Sequence, residues 1–155
     1  MSILNSVIKL FVGDKQQKDL KSLQPIVDKV KSFESALEQL SHDEIREKTT
    51  SFKNKIKEAT QQFENQINAL EEEAKSSDID RQEEIYEEID KLKDNAYKVS
   101  EEVLLEIMPD AFAVVKETAK RFLNNEEIEV TATPFDRELS ADREHIILEG
   151  DKAYW

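Results

Sequence analysis

Two apolar stripes that mirror one another limit the folds open to this sequence. The first reads Ile45, Phe52, Ile56, Ala59, Phe63, Ile67, Leu70 and Ala74, with Thr49 in its one polar slot. The second reads Ile85, Ile89, Leu92, Ala96, Val99 and Val103. Their steps alternate between three and four, the spacing of a coiled-coil seam. The numbers of Leu70 and Ile85 add to 155, as do those of Phe63 and Leu92, Ala59 and Ala96, Ile56 and Val99, and Phe52 and Val103. Ile67 and Ile89 add to 156. A constant sum is the arithmetic of an antiparallel pair; a parallel pair holds a constant difference. Ser76, Ser77 and Asp78 break the pattern with turn and cap chemistry. The spacing therefore predicts a helical hairpin over residues 42–106, its tip near residues 76–79 and its core made of Phe52, Ile56, Ala59, Phe63, Ile67, Leu70, Ile85, Ile89, Leu92, Ala96, Val99 and Val103. A single helix that runs through residue 78 and dimerises is the competing arrangement.

The flanks read differently. Residues 1–41 suggest an amphipathic helix over 2–12, with Leu4, Val7, Ile8 and Phe11 on one face and Gly13 ending it. A second helix over 16–40 presents Leu20, Leu23, Val27, Val30, Phe33, Leu37 and Leu40, with a kink or restart at Pro25. Ser41 and Glu44 have the form of a capping box, so the hairpin starts there. Pro109 is expected to stop the second arm and open a separate helix over 107–123 that buries Ala111, Phe112, Val115, Ala119 and Phe122, with Lys116, Glu117, Lys120 and Arg121 outside. Beyond Asn125 the period falls from 3.6 to 2, so residues 124–155 should be rich in short strands, with a turn at Gly150-Asp151. Because the sequence stops on Ala153-Tyr154-Trp155, an apolar strand, truncation of something larger is expected. The predicted class is mainly α: N-terminal helices, a long antiparallel coiled-coil hairpin and a short antiparallel β segment at the C-terminus.

Composition narrows the function. There is no cysteine, and there are two glycines and two histidines, so thiol catalysis, a thiolate metal site and a glycine-rich phosphate cradle within these residues are excluded. The net charge of −13 argues against a nucleic-acid partner. Residues 58–110 hold 17 acidic and 5 basic groups, the pattern of a solvated helix face or of a docking surface for a basic partner. Glu83, Glu84, Glu87 and Glu88 lack the Glu-x-x-His partners of a di-iron bundle, and His42 and His145 read as surface histidines. Asp136 and Glu138 do not stand out in so acidic a sequence. No run of about 18 apolar residues is available to span a membrane, and no signal-peptide cleavage site follows the first apolar run.

One motif is specific. Ile107-Met108-Pro109-Asp110-Ala111-Phe112-Ala113-Val114-Val115-Lys116-Glu117-Thr118-Ala119-Lys120-Arg121 resembles the L-P-E-A-F-A-V-V-R-E-A-S-K-R stretch near the start of SecA, the ATP-driven motor family of bacterial preprotein translocation. Leu40 to Thr49 resembles that family's L-S-D-E-E-L-K-G-K-T, followed by Phe52 where the family has Phe, and Leu4 to Gly13 resembles its amphipathic start. The resemblance covers residues 1–57 and 107–123; the acidic hairpin and the strand segment depart from it as insertions of one branch.

The resemblance implies the N-terminal portion of a translocation motor that docks on membrane and channel and scaffolds the ATPase domain, with no catalysis, cofactor or metal in these residues. ATP and Mg belong to the full-length protein. The implied partners are the SecY channel, an anionic phospholipid surface, preprotein and the rest of the SecA polypeptide. The implied location is the cytoplasm, peripheral at the inner membrane. The matching docking residues are Leu4, Val7, Ile8, Lys9, Phe11, Lys15 and Lys18; a helix docked on its own domain is the plainer reading of the same residues. A free-standing acidic coiled-coil adaptor or holdase-like binding protein is the alternative function.

Overall fold

Three apolar stripes become three long helices. The structure, a computed structural model, describes residues 3–155, with side chains from residue 17 onward. Helix α1 spans Ile3–Leu37, α2 His42–Ala74 and α3 Ile79–Asn124. They are followed by β1 (Glu129–Thr131), α4 (Pro134–Ser140), β2 (Ile147–Glu149) and β3 (Lys152–Tyr154). The side chains of Leu4, Val7, Ile8, Lys9, Phe11 and Lys15 lie outside the described residues.

The backbone reverses between α2 and α3 through residues 75–78. Ser41 and Glu44 close the start of α2 reciprocally: the Glu44 carboxylate accepts from the Ser41 amide at 2.7 Å, and Ser41 Oγ accepts from the Glu44 amide at 3.2 Å. At the tip, Asp78 accepts from the Arg81 amide at 2.9 Å and so caps α3. Gln82 donates to the Ala74 and Ser77 carbonyls at 2.9 and 3.1 Å, tying the start of α3 to the end of α2 and to the turn. The ion pairs confirm the antiparallel sense: Lys48 meets Asp110, Lys55 meets Glu106 and Glu73 meets Arg81, one number rising as the other falls. Helix α1 lies beside α3 in the same direction, since Glu34 meets Lys116 and Glu38 meets Lys120, both numbers rising together.

Burial is concentrated at the two ends of the hairpin. At the base, Leu37, Ile45, Ala113 and Val114 pack with Val30, Phe33, Leu40 and Phe52 where the three helices meet. At the tip, Ala74, Ile85 and Ile89 pack with Ile67 and Leu70. Between them Ile56, Ala59, Phe63, Leu92, Ala96, Val99 and Val103 are half-buried, which is what a seam of only two helices provides.

Three expectations need correction. Helix α1 continues through Gly13, and α3 through Pro109, while α1 runs on across Pro25 without a restart. An interior glycine costs only about 1 kcal/mol against alanine. Proline removes one backbone donor, and burial of the Pro109 ring offsets part of that cost. The boundary expected at residue 107 is therefore not a break. The face of residues 110–123 is also reversed: Ala113, Val114 and Glu117 are buried, whereas Phe112, Val115 and Phe122 are exposed. Small Ala113 lets α1 and α2 approach, and Arg121 caps the end of α1 by donating to the Leu37 and Leu40 carbonyls at 3.0 and 2.7 Å. Glu117 holds that guanidinium at 2.8 Å.

The C-terminal segment forms a sheet of order β1-β3-β2, antiparallel throughout, with Val130 opposite Ala153 and Leu148 opposite Ala153 on the other side. Gly150 has φ 64°, the positive value that a glycine-first two-residue turn requires. Helix α4 was not anticipated. Its signal is Thr133-Pro134-x-Asp136, in which Thr133 and Asp136 make a capping box and proline occupies the first turn.

Candidate functional site

The first notable surface is the outer side of α3. Leu104, Leu105, Phe112, Val115 and Phe122 are between 48% and 66% exposed. Together with Met108 and Ala111 they follow helical spacing along the side opposite Ala113, Val114 and Glu117. The second half of α3 is thus apolar on both sides, the pattern of a helix enclosed within a larger body. Leu104, Leu105, Met108, Ala111, Phe112 and Val115 line one groove on this side.

The second is the junction of the helices with the sheet, which the start of α2 holds by its side chains. The Asp43 carboxylate accepts from Thr131 N–H at 2.9 Å and from Thr131 Oγ1 at 2.6 Å. His42 Nδ1 lies 3.2 Å from the Glu129 carbonyl, and Arg46 Nη1 donates to the Thr131 carbonyl at 3.2 Å. Side chains on a helix therefore pair the outer edge of β1, where a further strand would otherwise pair. Arg46 Nη2 also reaches both Asp136 oxygens, at 2.8 and 2.9 Å. Asp136 is fully buried and additionally accepts from the Thr133 amide and hydroxyl, each at 2.7 Å, and from Trp155 Nε1 at 3.1 Å. Asp43, Arg46 and Asp136 were not singled out by sequence; only the local capping pattern of Asp136 was there to be read. His42, expected at the surface, is half-buried and joined to the sheet.

Burial pushes the Asp136 carboxyl upward, but the hydrogen bonds from Thr133 and the bonds and charge of Arg46 outweigh it and hold the pKa below the ordinary value. Asp43 is lowered chiefly by its bond from the Thr131 hydroxyl. For carboxylates depressed by folding, the stabilisation is complete above the unfolded pKa of about 4 and is lost as pH falls through the folded values. Acid is therefore expected to loosen the sheet from α2 below about pH 4. Urea midpoints read by Trp155 fluorescence should fall more steeply with acid in the parent than in Asp43→Asn. Parallel slopes would contradict this.

Chemistry is sparse elsewhere. Among the described residues no group of three or more His, Cys, Asp or Glu is placed to hold a metal ion. None of their helices is long and apolar enough to cross a membrane. Lys18, at the start of the described side chains, is exposed. Helix α1 continues with Leu20, Leu23, Ile26 and Val27, each at least 36% exposed.

Known proteins share this sequence closely. The model of the SecA DEAD-like domain matches residues 8–139. The protein translocase subunit SecA of Christiangramia forsetii is 55% identical over 156 residues, covering 100% of this chain and 14% of the relative. That of Flavobacterium psychrophilum is 51% identical over the same shares. That of Porphyromonas gingivalis strain W83 is 41% identical over 147 residues, 95% of this chain and 13% of the relative. The protein thus spans about 14% of the length of the curated relatives it matches, hairpin and sheet included. No solved structure matches it.

Proposed function

This chain belongs to the SecA family of protein translocase subunits, of which it represents the N-terminal part, and from that premise we propose that it serves the motor as a docking and scaffolding element. The observation that carries this reading is the outer side of α3. A stripe with Leu104, Phe112, Val115 and Phe122 exposed along about 30 Å of helix, at 1.5 Å per residue, is more than a lone soluble domain normally leaves open. Its cover in this reading is the remainder of the DEAD-like domain. Nucleotide and Mg chemistry then resides in that remainder, because these residues hold no glycine-rich loop. Family membership favours this role over a free-standing adaptor.

The test is made in full-length SecA. Phe112→Asp with Val115→Asp is expected to destabilise the N-terminal domain by at least about 2 kcal/mol, since two charges would be buried without partners. A change within about 0.5 kcal/mol, the usual range for exposed positions, would remove the scaffold from the proposal.

Docking is assigned to α1. In the sequence, Leu4, Val7, Ile8 and Phe11 recur at helical spacing, and Lys9, Lys15 and Lys18 bring positive charge. Lysines at an anionic bilayer gain about 1 kcal/mol each, and an apolar side enters the headgroup boundary. The proposed location is accordingly peripheral at the cytoplasmic face of the inner membrane, with the SecY channel and preprotein as partners of the whole motor. Salt-sensitive sedimentation with anionic vesicles, and none with neutral phosphatidylcholine, is expected. Ile8→Asp with Phe11→Asp should abolish it, and equal binding by this variant would refute the assignment. The acidic hairpin does not cancel the effect, because charges beyond about 8 Å are screened at physiological salt.

A further inference from the structure

The seam with α2 accounts for one side of the hairpin half of α3. Ile79, Tyr86 and Tyr97 stand away from it, 82%, 55% and 64% exposed. Separations of 7 and 11 positions are close to whole turns of a helix, so the three form one line about 27 Å long. Glu83 and Asp90 lie about one turn to either side of Tyr86, and Asp94 and Glu101 about one turn to either side of Tyr97. All four carboxylates are exposed. The Tyr97 hydroxyl donates to Glu101 at 2.9 Å, which fixes the ring beside that carboxylate. The cations nearest the tip are already engaged, Arg81 with Glu73 and Glu84, and Lys75 with Glu72. Among the described residues Glu83, Asp90, Asp94 and Glu101 make no ion pair, and Lys93 alone brings positive charge to their side of the helix.

Exposed tyrosines set between unpaired carboxylates match a cationic partner. The stem of a lysine or arginine covers the ring, its charged end is attracted to the ring face, and the carboxylates on either side complete the contact. Tyrosine offers a large, rigid area at small entropic cost, which is why it is enriched at protein interfaces. Nucleic acid and anionic lipid carry the same sign of charge as this face and are repelled, as is the same face of a second copy. Among the described residues no acidic group there is placed to hold a metal ion. We propose that the tip half of the hairpin is a docking surface for a lysine- and arginine-rich segment of a second protein, which lays basic side chains over Tyr86 and Tyr97 between Glu83, Asp90, Asp94 and Glu101. This surface is separate from α1 and from the apolar base of α3, and the assignment depends on neither.

In the experiment, full-length SecA is titrated at about 0.15 M salt with a fluorescein-labelled synthetic peptide of four Arg-Ala-Ala-Lys repeats, and with the same peptide carrying Glu in place of every Arg and Lys. Fluorescence anisotropy should show saturable binding of the basic peptide and none of the acidic one. Tyr86→Ser with Tyr97→Ser leaves the charge untouched and should weaken binding about ten-fold. Glu83→Gln with Asp90→Asn and Asp94→Asn should weaken it at least as much. All five positions are exposed, so the unfolding midpoint should stay that of the parent. Parent affinity in either variant would overturn the proposal, because the peptide would then be held elsewhere or by general attraction alone. In cells, full-length SecA carrying Tyr97→p-benzoyl-phenylalanine should crosslink on irradiation to a second protein, and mass spectrometry should place the adduct in a segment rich in lysine and arginine. Adducts only with lipid, with another SecA copy or with a segment lacking net positive charge, or no adduct, would equally overturn it.

Discussion

Asp136→Ala is expected to destabilise the protein by about 3 kcal/mol. Its carboxylate is fully buried and receives five hydrogen bonds, two from Arg46, two from Thr133 and one from Trp155. Truncation would free the Thr133 cap of α4, the Trp155 indole and the Arg46 guanidinium together. The Arg46 side chain is 33% exposed, so water would recover part of its loss and the cost should lie at the lower end for broken buried pairs. Asp136→Asn keeps the shape and removes the charge, and should cost about half as much. Urea unfolding followed by Trp155, the only tryptophan, reports directly on the bond that is lost. An Asp136→Ala protein within about 0.5 kcal/mol of the parent, with unshifted indole emission, would show that the sheet is held by apolar contact alone.

The second large effect belongs to the other end of the molecule. Ile85→Ala should cost about 3 kcal/mol, because Ile85 is fully buried against Ala74, Ile89, Ile67 and Leu70 and the two helices have little freedom to close over the cavity. The tip is separated from the base by a half-buried seam, so the loss should appear locally. Hydrogen exchange should quicken for residues 67–89 while Leu37, Ile45 and Val114 keep their protection. Leu92→Ala, in the half-buried seam, should cost no more than about 2 kcal/mol. Equal costs at the two positions would mean that the tip has no core of its own.

The hairpin could be read from sequence because its information is one-dimensional. The alternation of threes and fours from Phe52 to Leu70 and from Ile85 to Val103 specifies two seams. The cap residues Ser41 and Asp78 specify where the arms begin, and the constant sum specifies their sense. The three-stranded sheet and its Gly150 turn were legible for the same reason, as a period of two and a residue suited to positive φ. Helix α4 was legible in principle from Thr133, Pro134 and Asp136, but its seven residues are too few for periodicity to reveal.

The orientation of α3 was another matter. Sequence marks Ala111, Phe112, Val115, Ala119 and Phe122 as the apolar side, and they are apolar; what it does not encode locally is which neighbour arrives on which side. Ala113 and Val114 face the base because α1 ends beside α3 and its Leu37 and Leu40 carbonyls need the Arg121 guanidinium. The ties of Asp43, Arg46 and Asp136 join residues about 90 positions apart, a separation over which no spacing rule operates. By itself, then, the sequence determined the periods, the caps, the sense of the hairpin and the family, all of which depend on residues near in sequence or on a register that can be counted. Only the tertiary structure decided which side of α3 is covered and which carboxylates are buried, because each depends on satisfying backbone and charged groups that distant segments bring together.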